Sequence, residues 1–260
     1  MKRTSLPALA FVICLAGASW TLADGGHTAL HWGYEGATGP AHWGDLSHDY
    51  AACSVGARQS PVDIEEATPA GLPAIDIEWG AGETRMVNNG HTIQVDVPAG
   101  SFLRRGGETY ELLQFHFHAP SEHEVQGRRF PMEAHFVHRR VGSDDLGVLA
   151  VFLDSGGENE SFARLASHFP AKEGVSVEVD DVDITGLFPD EREYWFYDGS
   201  LTTPPCSEKV SWMVLQHPVK VSGDDITRFR ALYPMNARPV APANGRPILS
   251  SSASPVAAHD

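Results

Sequence analysis

Two histidine-containing segments near the middle of the chain have the spacing of a metal-binding site. The first, residues 112–118, reads Leu-Leu-Gln-Phe-His-Phe-His. Successive side chains of a β-strand point to opposite faces, so Gln114, His116 and His118 share one face if this segment is a strand. Two imidazole rings then point in the same direction, while the phenylalanines point in the other.

The second segment, residues 132–138, adds a third imidazole beside a carboxylate. Its alternation places Glu133, His135 and Val137 on one face and His138 on the opposite one. A single histidine on a half-buried strand is more often a hydrogen-bonded core residue than a ligand. We keep that ordinary interpretation for His138, which faces away from the others.

Three imidazoles converge if these two segments are neighbouring strands. His116, His118 and His135 would then bind one ion and leave a fourth tetrahedral position open, as catalytic zinc sites do. Imidazole ligands suit zinc better than calcium or magnesium, and copper and cobalt are chemically acceptable alternatives. Gln114 and Glu133 each precede one of these histidines by two residues, so both are predicted to hydrogen-bond its other ring nitrogen.

The elements that position these histidines are predicted to be strands of a single domain, residues 24–247. Short alternating or β-branched runs, separated by Gly and Pro clusters, extend from about Ile75 to Val219. The predicted strands include residues 92–97, 112–118, 133–139, 148–153 and 209–216. This pattern is typical of a mainly β fold.

Short helices and an irregular arm complete the predicted domain. Residues 24–60 show neither period and are interpreted as an arm held by three aromatic anchors, Trp32, Tyr34 and Trp43. Helical spacing in residues 162–169 predicts one short helix. A second is expected between the capping pattern at Ser222 and Asp225 and the stop at Pro234.

Both ends of the chain are predicted to lie outside the domain. Residues 1–23 combine a basic start, an apolar run and a small-residue cleavage site, the three parts of a secretory signal peptide. The alternative, a membrane anchor, would need a longer apolar run. We therefore expect a periplasmic or secreted protein with no membrane span. The Ser- and Ala-rich residues 248–260 are predicted to be a disordered tail.

Net charge and cysteine content limit which binding partners and which cellular compartment are expected. The formal charge is −15, and loss of Lys2 and Arg3, the only charges in residues 1–23, makes it −17. Nucleic acid is not expected as a partner of so acidic a chain. Cys53 and Cys206 remain after cleavage, and one disulfide is simpler than two buried thiols in an oxidising compartment. A homodimer is compatible with the sequence, which does not determine the oligomeric state.

Seven segments, in this order and spacing, resemble the alpha-class carbonic anhydrases of the exported bacterial type. They are residues 31–34, 58–64, 88–91, 114–118, 121–123, 133–135 and 199–205. The resemblance extends from about His31 to Arg246 and implies a large, twisted, mostly antiparallel central sheet with zinc as the cofactor. The sequence departs from many animal members at Ala119-Pro120, where they have Trp-Gly. It also departs from the family in its Ser- and Ala-rich C-terminal tail.

The resemblance also implies roles for residues that spacing alone does not identify. Thr202 is similar to the residue that accepts a hydrogen bond from the zinc-bound hydroxide, and Glu122 to the carboxylate that orients it. His91 is similar in position to the family's proton shuttle, and an unperturbed imidazole, with a pKa of about 6.5, is suited to that transfer. Simple alternation would instead place His91 on the face of Ile93 and Val95.

Further positions resemble the family's cavity and its supports. The polar cavity residues are Tyr34, Asn89 and Gln94. The substrate-binding residues are Val137, Val148, Leu201, Thr203, Val210 and Trp212, although periodicity alone would make the apolar ones ordinary core. His123 and Tyr197 are expected to support Glu133 in a buried network. Cys53 and Cys206 stand where bacterial members carry their disulfide.

The implied activity is the reversible hydration of carbon dioxide to bicarbonate and a proton by attack of zinc-bound hydroxide, with ester hydrolysis as a side activity. Two alternatives belong to other classes. A zinc-dependent hydrolase would need a general-base carboxylate near the metal. A carbonic-anhydrase-like binding module without activity would be expected to lack a zinc histidine, and none is missing.

Overall fold

Strands dominate the computed structural model, which describes residues 31–80, 83–180 and 182–252. The strands are β1 (Asp63–Ile64), β2 (Thr68–Pro69), β3 (Ile75–Glu78), β4 (Thr84–Asn88), β5 (Ile93–Asp96), β6 (Phe102–Arg105), β7 (Glu108–His118), β8 (Glu124–Val125), β9 (Met132–Arg140), β10 (Leu146–Ser155), β11 (Ser176–Val179), β12 (Tyr194–Gly199), β13 (Val210–Leu215), β14 (Val219–Val221) and β15 (Leu249–Ser250). The helices are α1 (Trp43–Leu46), α2 (Ala52–Val55), α3 (Glu160–Ala166) and α4 (Gly223–Leu232). The mainly β fold with short helices is confirmed.

One large mixed sheet contains most of these strands. Its order is β11-β4-β5-β7-β9-β10-β13-β12-β15-β2, with β6 joining β3 to β7 and β14 lying beside β10. Most neighbours are antiparallel, and the parallel pairs are β10 with β13 and β14, and β15 with β2. The long strands β7 and β9 are direct antiparallel neighbours. The two histidine segments are therefore adjacent, as the metal-site prediction requires.

The central strands are buried on both faces. Along β10, Val148 and Ala150 belong to one apolar cluster, whereas Leu149 and Val151 belong to the other. Successive side chains thus enter opposite cores, which explains why this strand reads as a continuous apolar run rather than an alternating one. Val137 of β9 packs in the same cluster as Val148, so this is the face that His135 shares.

A β-bulge interrupts β7 before its histidines. The register with β9 shifts between Leu112 and Gln114, and Leu112 packs in the same core cluster as Phe115. The strict alternation predicted from residue 112 is therefore wrong at its first step, because one extra residue, Leu113, is inserted into the strand. Beyond the bulge the alternation holds through His118.

The arm that precedes the sheet contains short helical turns, which corrects the prediction of an irregular segment. Besides α1 and α2 it has 3-10 turns at Gly36–Thr38, Pro40–His42 and His48–Tyr50. Its three aromatic anchors pack edge-to-face, with ring centroids 5.4 to 5.8 Å apart. The indole of Trp43 is fully buried and donates a hydrogen bond of 2.8 Å to the carbonyl of Gly33.

The C-terminal residues extend the domain beyond its predicted end. Ile248 is buried, and Leu249–Ser250 pairs with both β12 and β2. The predicted disordered tail is therefore wrong for residues 248–252, because two flanking strands offer backbone hydrogen bonds that the Ser-rich composition does not reveal. Residues 253–260 and the predicted leader, residues 1–23, lie outside the described residues. No helix within the described part of the chain could cross a membrane.

Candidate metal centre and active site

The sheet brings the three predicted ligand histidines together. His116 and His135 are directly opposite each other on β7 and β9, and His118 is opposite Glu133. One ring nitrogen from each of His116, His118 and His135 lies within 4.8 Å of the other two. His118 and His135 are almost fully buried, so the three nitrogens form a compact cluster at the base of a cavity.

An oxygen acceptor holds the other ring nitrogen of each histidine. Gln114 Oε1 accepts from His116 Nδ1 at 2.9 Å, and Glu133 Oε1 accepts from His135 Nε2 at 2.9 Å. His118 Nδ1 donates to the backbone carbonyl of Asn236 at 2.7 Å. Because these acceptors carry no hydrogen, each bond requires the proton on that nitrogen. The remaining nitrogens, Nε2 of His116, Nε2 of His118 and Nδ1 of His135, are therefore unprotonated, as metal ligation requires.

Two buried atoms at the centre of this cluster have no hydrogen-bond partner. They are His118 Nε2 and Glu122 Oε2, which lie 3.5 Å apart. Buried polar atoms are nearly always paired, so unpaired acceptors aimed at one point indicate a site for a cation. Three neutral imidazoles and no thiolate match the ligand preference of zinc. The residues therefore fit a zinc ion.

Burial and nearby charges set the protonation states of the ligands. Burial lowers the pKa of His116 well below its usual value and lowers that of His118, and repulsion from the other ligand histidines adds to it. For His135 burial acts in the same direction, but the Glu133 carboxylate outweighs it and leaves the pKa raised. Burial opposes ionisation of Glu133, yet His123 and His135 hold its pKa well below the usual range.

The Glu133 carboxylate is the centre of a buried network. Its Oε1 accepts from His123 Nδ1 at 2.7 Å in addition to His135, and its Oε2 accepts from the backbone N–H groups of Glu122 and His123 at 2.8 and 2.9 Å. His123 Nε2 lies 2.7 Å from Tyr197 Oη. The structure thus brings together Glu133 and the two residues, His123 and Tyr197, that are predicted to support it.

The expected hydrogen bond from Thr202 to Glu122 is not formed, so this part of the prediction is wrong. Glu122 Oε1 accepts from the backbone N–H of Arg238 at 2.8 Å. Its other oxygen points toward the ligand imidazoles, 3.5 Å from His118 Nε2 and 3.7 Å from His135 Nδ1. One carboxylate oxygen thus bonds Arg238, the other faces the ligand imidazoles without a hydrogen-bond partner, and Thr202 is buried in the loop after β12.

A polar cavity of about 130 Å³ opens above the metal cluster. Its lining consists of Trp32, Tyr34, Asn89, His91, Thr92, Gln94, Gln114, His116, His118 and Thr203. The three predicted polar residues Tyr34, Asn89 and Gln94 are all present, and Asn89 Nδ2 donates to Gln94 Oε1 at 3.3 Å. Sequence reasoning missed Trp32 and Thr92 as lining residues, because an aromatic anchor and a β-branched strand residue have ordinary structural explanations.

His91 faces the cavity and not the buried face of β5. Asn89 Oδ1 accepts from the backbone N–H groups of His91 and Thr92 at 3.0 and 2.9 Å, and Gly90 has a φ of +86°. This turn separates His91 from the alternation that begins at Ile93. Burial, together with repulsion from His31, lowers the pKa of His91 to about 4, against an opposing contribution from a carboxylate.

The predicted apolar wall lies next to the metal cluster. Val137, Val148, Val210 and Trp212 are buried in one cluster, and Leu201 packs against it. The Trp212 ring is 4.9 Å from the His135 ring, edge to face. Thr203, by contrast, lies on the polar cavity wall. The apolar cluster therefore adjoins the metal ligands through Trp212, whereas the cavity itself is lined mainly by polar and aromatic residues.

A segment after α4 holds several parts of the site, and sequence reasoning missed it. The fully buried Asn236 accepts from the backbone N–H of Ala119 at 2.8 Å and donates to the carbonyls of His91 and Phe117 at 3.1 and 2.9 Å. Its own carbonyl binds His118. One residue thus connects a metal ligand to the turn that carries the predicted shuttle.

The disulfide joins Cys53 of α2 to Cys206, with an S–S distance of 2.08 Å. Cys206 ends the turn that begins at Thr203, where its backbone N–H donates to the Thr203 carbonyl at 2.9 Å. The bridge therefore ties the arm to the loop that contains Thr202 and Thr203. The alternative of two free thiols is wrong for this structure.

Comparison with known proteins identifies the family. The family model of eukaryotic-type carbonic anhydrases matches residues 38–252. A carbonic anhydrase of Pectobacterium atrosepticum is 42% identical over 214 residues, which cover 82% of this chain and 87% of that protein. A carbonic anhydrase of Neisseria gonorrhoeae is 42% identical over 247 residues, covering 91% and 97%.

The solved structures agree. The alpha-carbonic anhydrase of Thermovibrio ammonificans, in complex with the inhibitor sulfanilamide, superposes with a TM-score of 0.82 at 42% identity and covers 84% of this chain and 98% of that one. The residues that the family model matches, 38–252, contain the strands of the sheet, the histidine cluster and the C-terminal segment, so the chain belongs to the alpha-class, or eukaryotic-type, carbonic anhydrase family.

Proposed function

We propose that this chain hydrates carbon dioxide reversibly to bicarbonate and a proton, with zinc held by His116, His118 and His135. The observation that carries the proposal is the convergence of three imidazoles, each held by a hydrogen bond from its other ring nitrogen. They meet at a point where His118 Nε2 has no hydrogen-bond partner. Zinc bound there would acidify water, so that a nucleophile exists near neutral pH. The relatives matched above are named carbonic anhydrases, which are lyases with this activity.

Other side chains of the protein would bind the substrate and surround the metal site. Carbon dioxide is apolar, and the cluster containing Val137, Val148 and Trp212 offers it an apolar wall beside the metal ligands. Thr203 on the cavity wall, and Thr202 in the same disulfide-braced loop, would present hydroxyl groups to the reacting water. Glu122 is placed to compensate the charge of the metal cluster, since its free oxygen faces two ligand imidazoles.

His91 carries the released proton away in this proposal. It lines the same cavity as His116 and His118, with Asn89 and Gln94 as polar neighbours that can order water between them. A chain of hydrogen-bonded water across the cavity would connect the site of proton release to the imidazole. The ring then passes the proton to buffer at the protein surface and returns to its neutral form.

Zinc content and stopped-flow hydration kinetics test the proposal together. The native protein should hold one zinc per chain, lose activity to a chelator and regain it with zinc. His116→Ala should lose both zinc and activity, whereas His48→Ala, at an exposed histidine of the arm, should lose neither. Full hydration activity in His116→Ala would refute the assignment.

The shuttle role has its own test. His91→Ala should lower turnover on the order of 10²-fold in dilute buffer, and imidazole buffer should restore it because a small base can enter the cavity. The zinc content should stay unchanged. Equal turnover of the native protein and His91→Ala in dilute buffer would assign proton transfer to another group.

We also infer that the protein is exported, with residues 1–23 as a cleaved leader and a periplasmic or secreted destination. The Cys53–Cys206 disulfide supports this, because such bonds persist in oxidising compartments. Mass spectrometry of the protein recovered from its host should find an N-terminus near residue 24. A homodimer stays a prediction, to be checked by light scattering.

A further inference from the structure

We propose that His31 and Glu173 are positioning residues for the proton-carrying step, acting on His91 with opposite sign. This inference rests on the shuttle role proposed above for His91. Both residues lie outside the metal cavity and at the surface, so they can act on the shuttle without touching the metal centre.

His91 separates two cavities. The inner one, of about 130 Å³, is shared with the ligands His116 and His118. The outer one, of about 530 Å³, is lined by His31, Glu173 and the aromatic residues around them. A proton loaded on the His91 ring from the inner side can therefore leave to a buffer base in the outer pocket, which restores the neutral ring.

His31 makes protonation of His91 less favourable. The two imidazoles are nearly parallel, with centroids 4.8 Å apart and an interplanar angle of 11°. The Trp32 indole is also stacked on His91, at 3.6 Å and 5°. Any positive charge on the His31 ring repels a proton on His91 at this distance, and the indole limits access of water.

Glu173 acts in the opposite direction. Its carboxylate packs against Gly90, the residue before His91: a Cβ at Gly90 would lie 2.7 Å from Glu173 Oε1. A carboxylate at this position stabilises the imidazolium form of the neighbouring ring. The lowered pKa of His91 agrees with this arrangement, since burial comes first, His31 adds to it and Glu173 opposes it.

Other titratable groups face His91 as well. Glu35 and Tyr233 line the outer pocket, and Tyr34 lines both cavities. Burial raises the pKa of Tyr34 well above its usual value and that of Tyr233 to about 12, so neither phenol carries charge near neutral pH. The inner side presents the ligand imidazoles. Glu35 is thus the second carboxylate that lines the outer pocket.

The experiment is a titration of the His91 ring by NMR in the zinc-loaded protein, with the resonance assigned by its absence in His91→Ala. Glu173→Gln should lower the His91 midpoint by roughly half a pH unit, and His31→Gln should raise it by a similar amount. Glu178→Gln removes an exposed carboxylate of β11 outside the pocket and should leave the midpoint unchanged. All three positions are at the surface, so the fold is retained.

A kinetic readout separates this inference from the shuttle proposal itself. In dilute buffer Glu173→Gln should turn over more slowly than the native protein, and imidazole buffer should remove the difference. Midpoints that stay fixed in both variants, or that move in the same direction, would overturn the roles of His31 and Glu173. The shuttle proposal would still be decided separately, by the turnover of His91→Ala.

Discussion

Replacing Glu133 by glutamine should weaken zinc binding and destabilise the fold together. The Glu133 carboxylate is fully buried and accepts four hydrogen bonds, from the rings of His123 and His135 and from the backbone N–H groups of Glu122 and His123. A glutamine amide has the same shape but only one accepting oxygen. Two of the four donors therefore lose their acceptor, whichever way the amide is oriented.

The two orientations have different costs. With the amide NH₂ facing the backbone, two buried N–H groups are unsatisfied, at about 1–3 kcal/mol each. With the NH₂ facing the rings, His135 must move its proton from Nε2 to Nδ1, the nitrogen that should bind the metal. We therefore expect a loss of about 2–6 kcal/mol in unfolding free energy or a roughly 10- to 100-fold weaker zinc affinity, with a mixture of both in practice.

Urea unfolding in the presence of chelator measures the first effect, and competition with a zinc chelator measures the second. Glu111→Gln is a matched control on β7, because the carboxylate of Glu111 makes only a surface ion pair of 3.3 Å with Arg139. It should change both quantities little. If Glu133→Gln kept native zinc affinity and native stability, the buried network could not be what orients His135.

Two further predictions concern stability. The Cys53–Cys206 bridge spans a sequence separation of 153 residues, so replacing both cysteines with serine should lower the unfolding free energy by about 5 kcal/mol on the chain-entropy account; unchanged urea midpoints would contradict this. Burial lowers the pKa of His138 to about 4, so the folded state excludes a proton that the unfolded state binds below about pH 6.5. This contribution is absent above pH 6.5 and removes up to about 3 kcal/mol of stability as the pH falls to 4. His138→Asn, compared with the native protein after zinc removal, should show a weaker pH dependence; parallel curves would exclude His138 as the cause.

The ligand set could be predicted from the sequence because its determinants are local. His116 and His118 are two residues apart on one strand, and His135 shares its phase with Glu133, so side-chain alternation alone gives the correct faces. The neighbouring position of β7 and β9 was a condition of the prediction, and the structure satisfies it. The outer partners Gln114 and Glu133 follow from the same alternation, since both precede a ligand by two residues.

The outer partner of His118 could not be predicted in this way. It is the backbone carbonyl of Asn236, and a carbonyl occurs in every residue, so no side-chain type marks it. The turn at Gly90, which carries His91 out of the strand alternation, is a related case. A glycine permits a positive φ without requiring it, and only the resemblance indicated the cavity side.

The remaining errors have the same physical origin, which is competition among distant partners. Glu122 was expected to accept from Thr202, but its Oε1 accepts from the backbone N–H of Arg238, 116 residues away, and its Oε2 faces the ligand imidazoles. Residues 248–252 were expected to be disordered from composition, but β12 and β2 offer them strand partners. Neither partner can be identified before the chain path is known.

The buried position of Asn236 has a consequence for biosynthesis. The short stretch that follows α4 accepts a hydrogen bond from His118 and donates hydrogen bonds to the His91 carbonyl and the Glu122 carboxylate. Although every metal ligand is made in the first 135 residues, the pocket that aligns them is assembled only after another hundred residues have been synthesised. We expect that nascent chains ending before Asn236 bind metal loosely, so that holoenzyme formation is timed to the completion of the polypeptide rather than to the appearance of its last ligand.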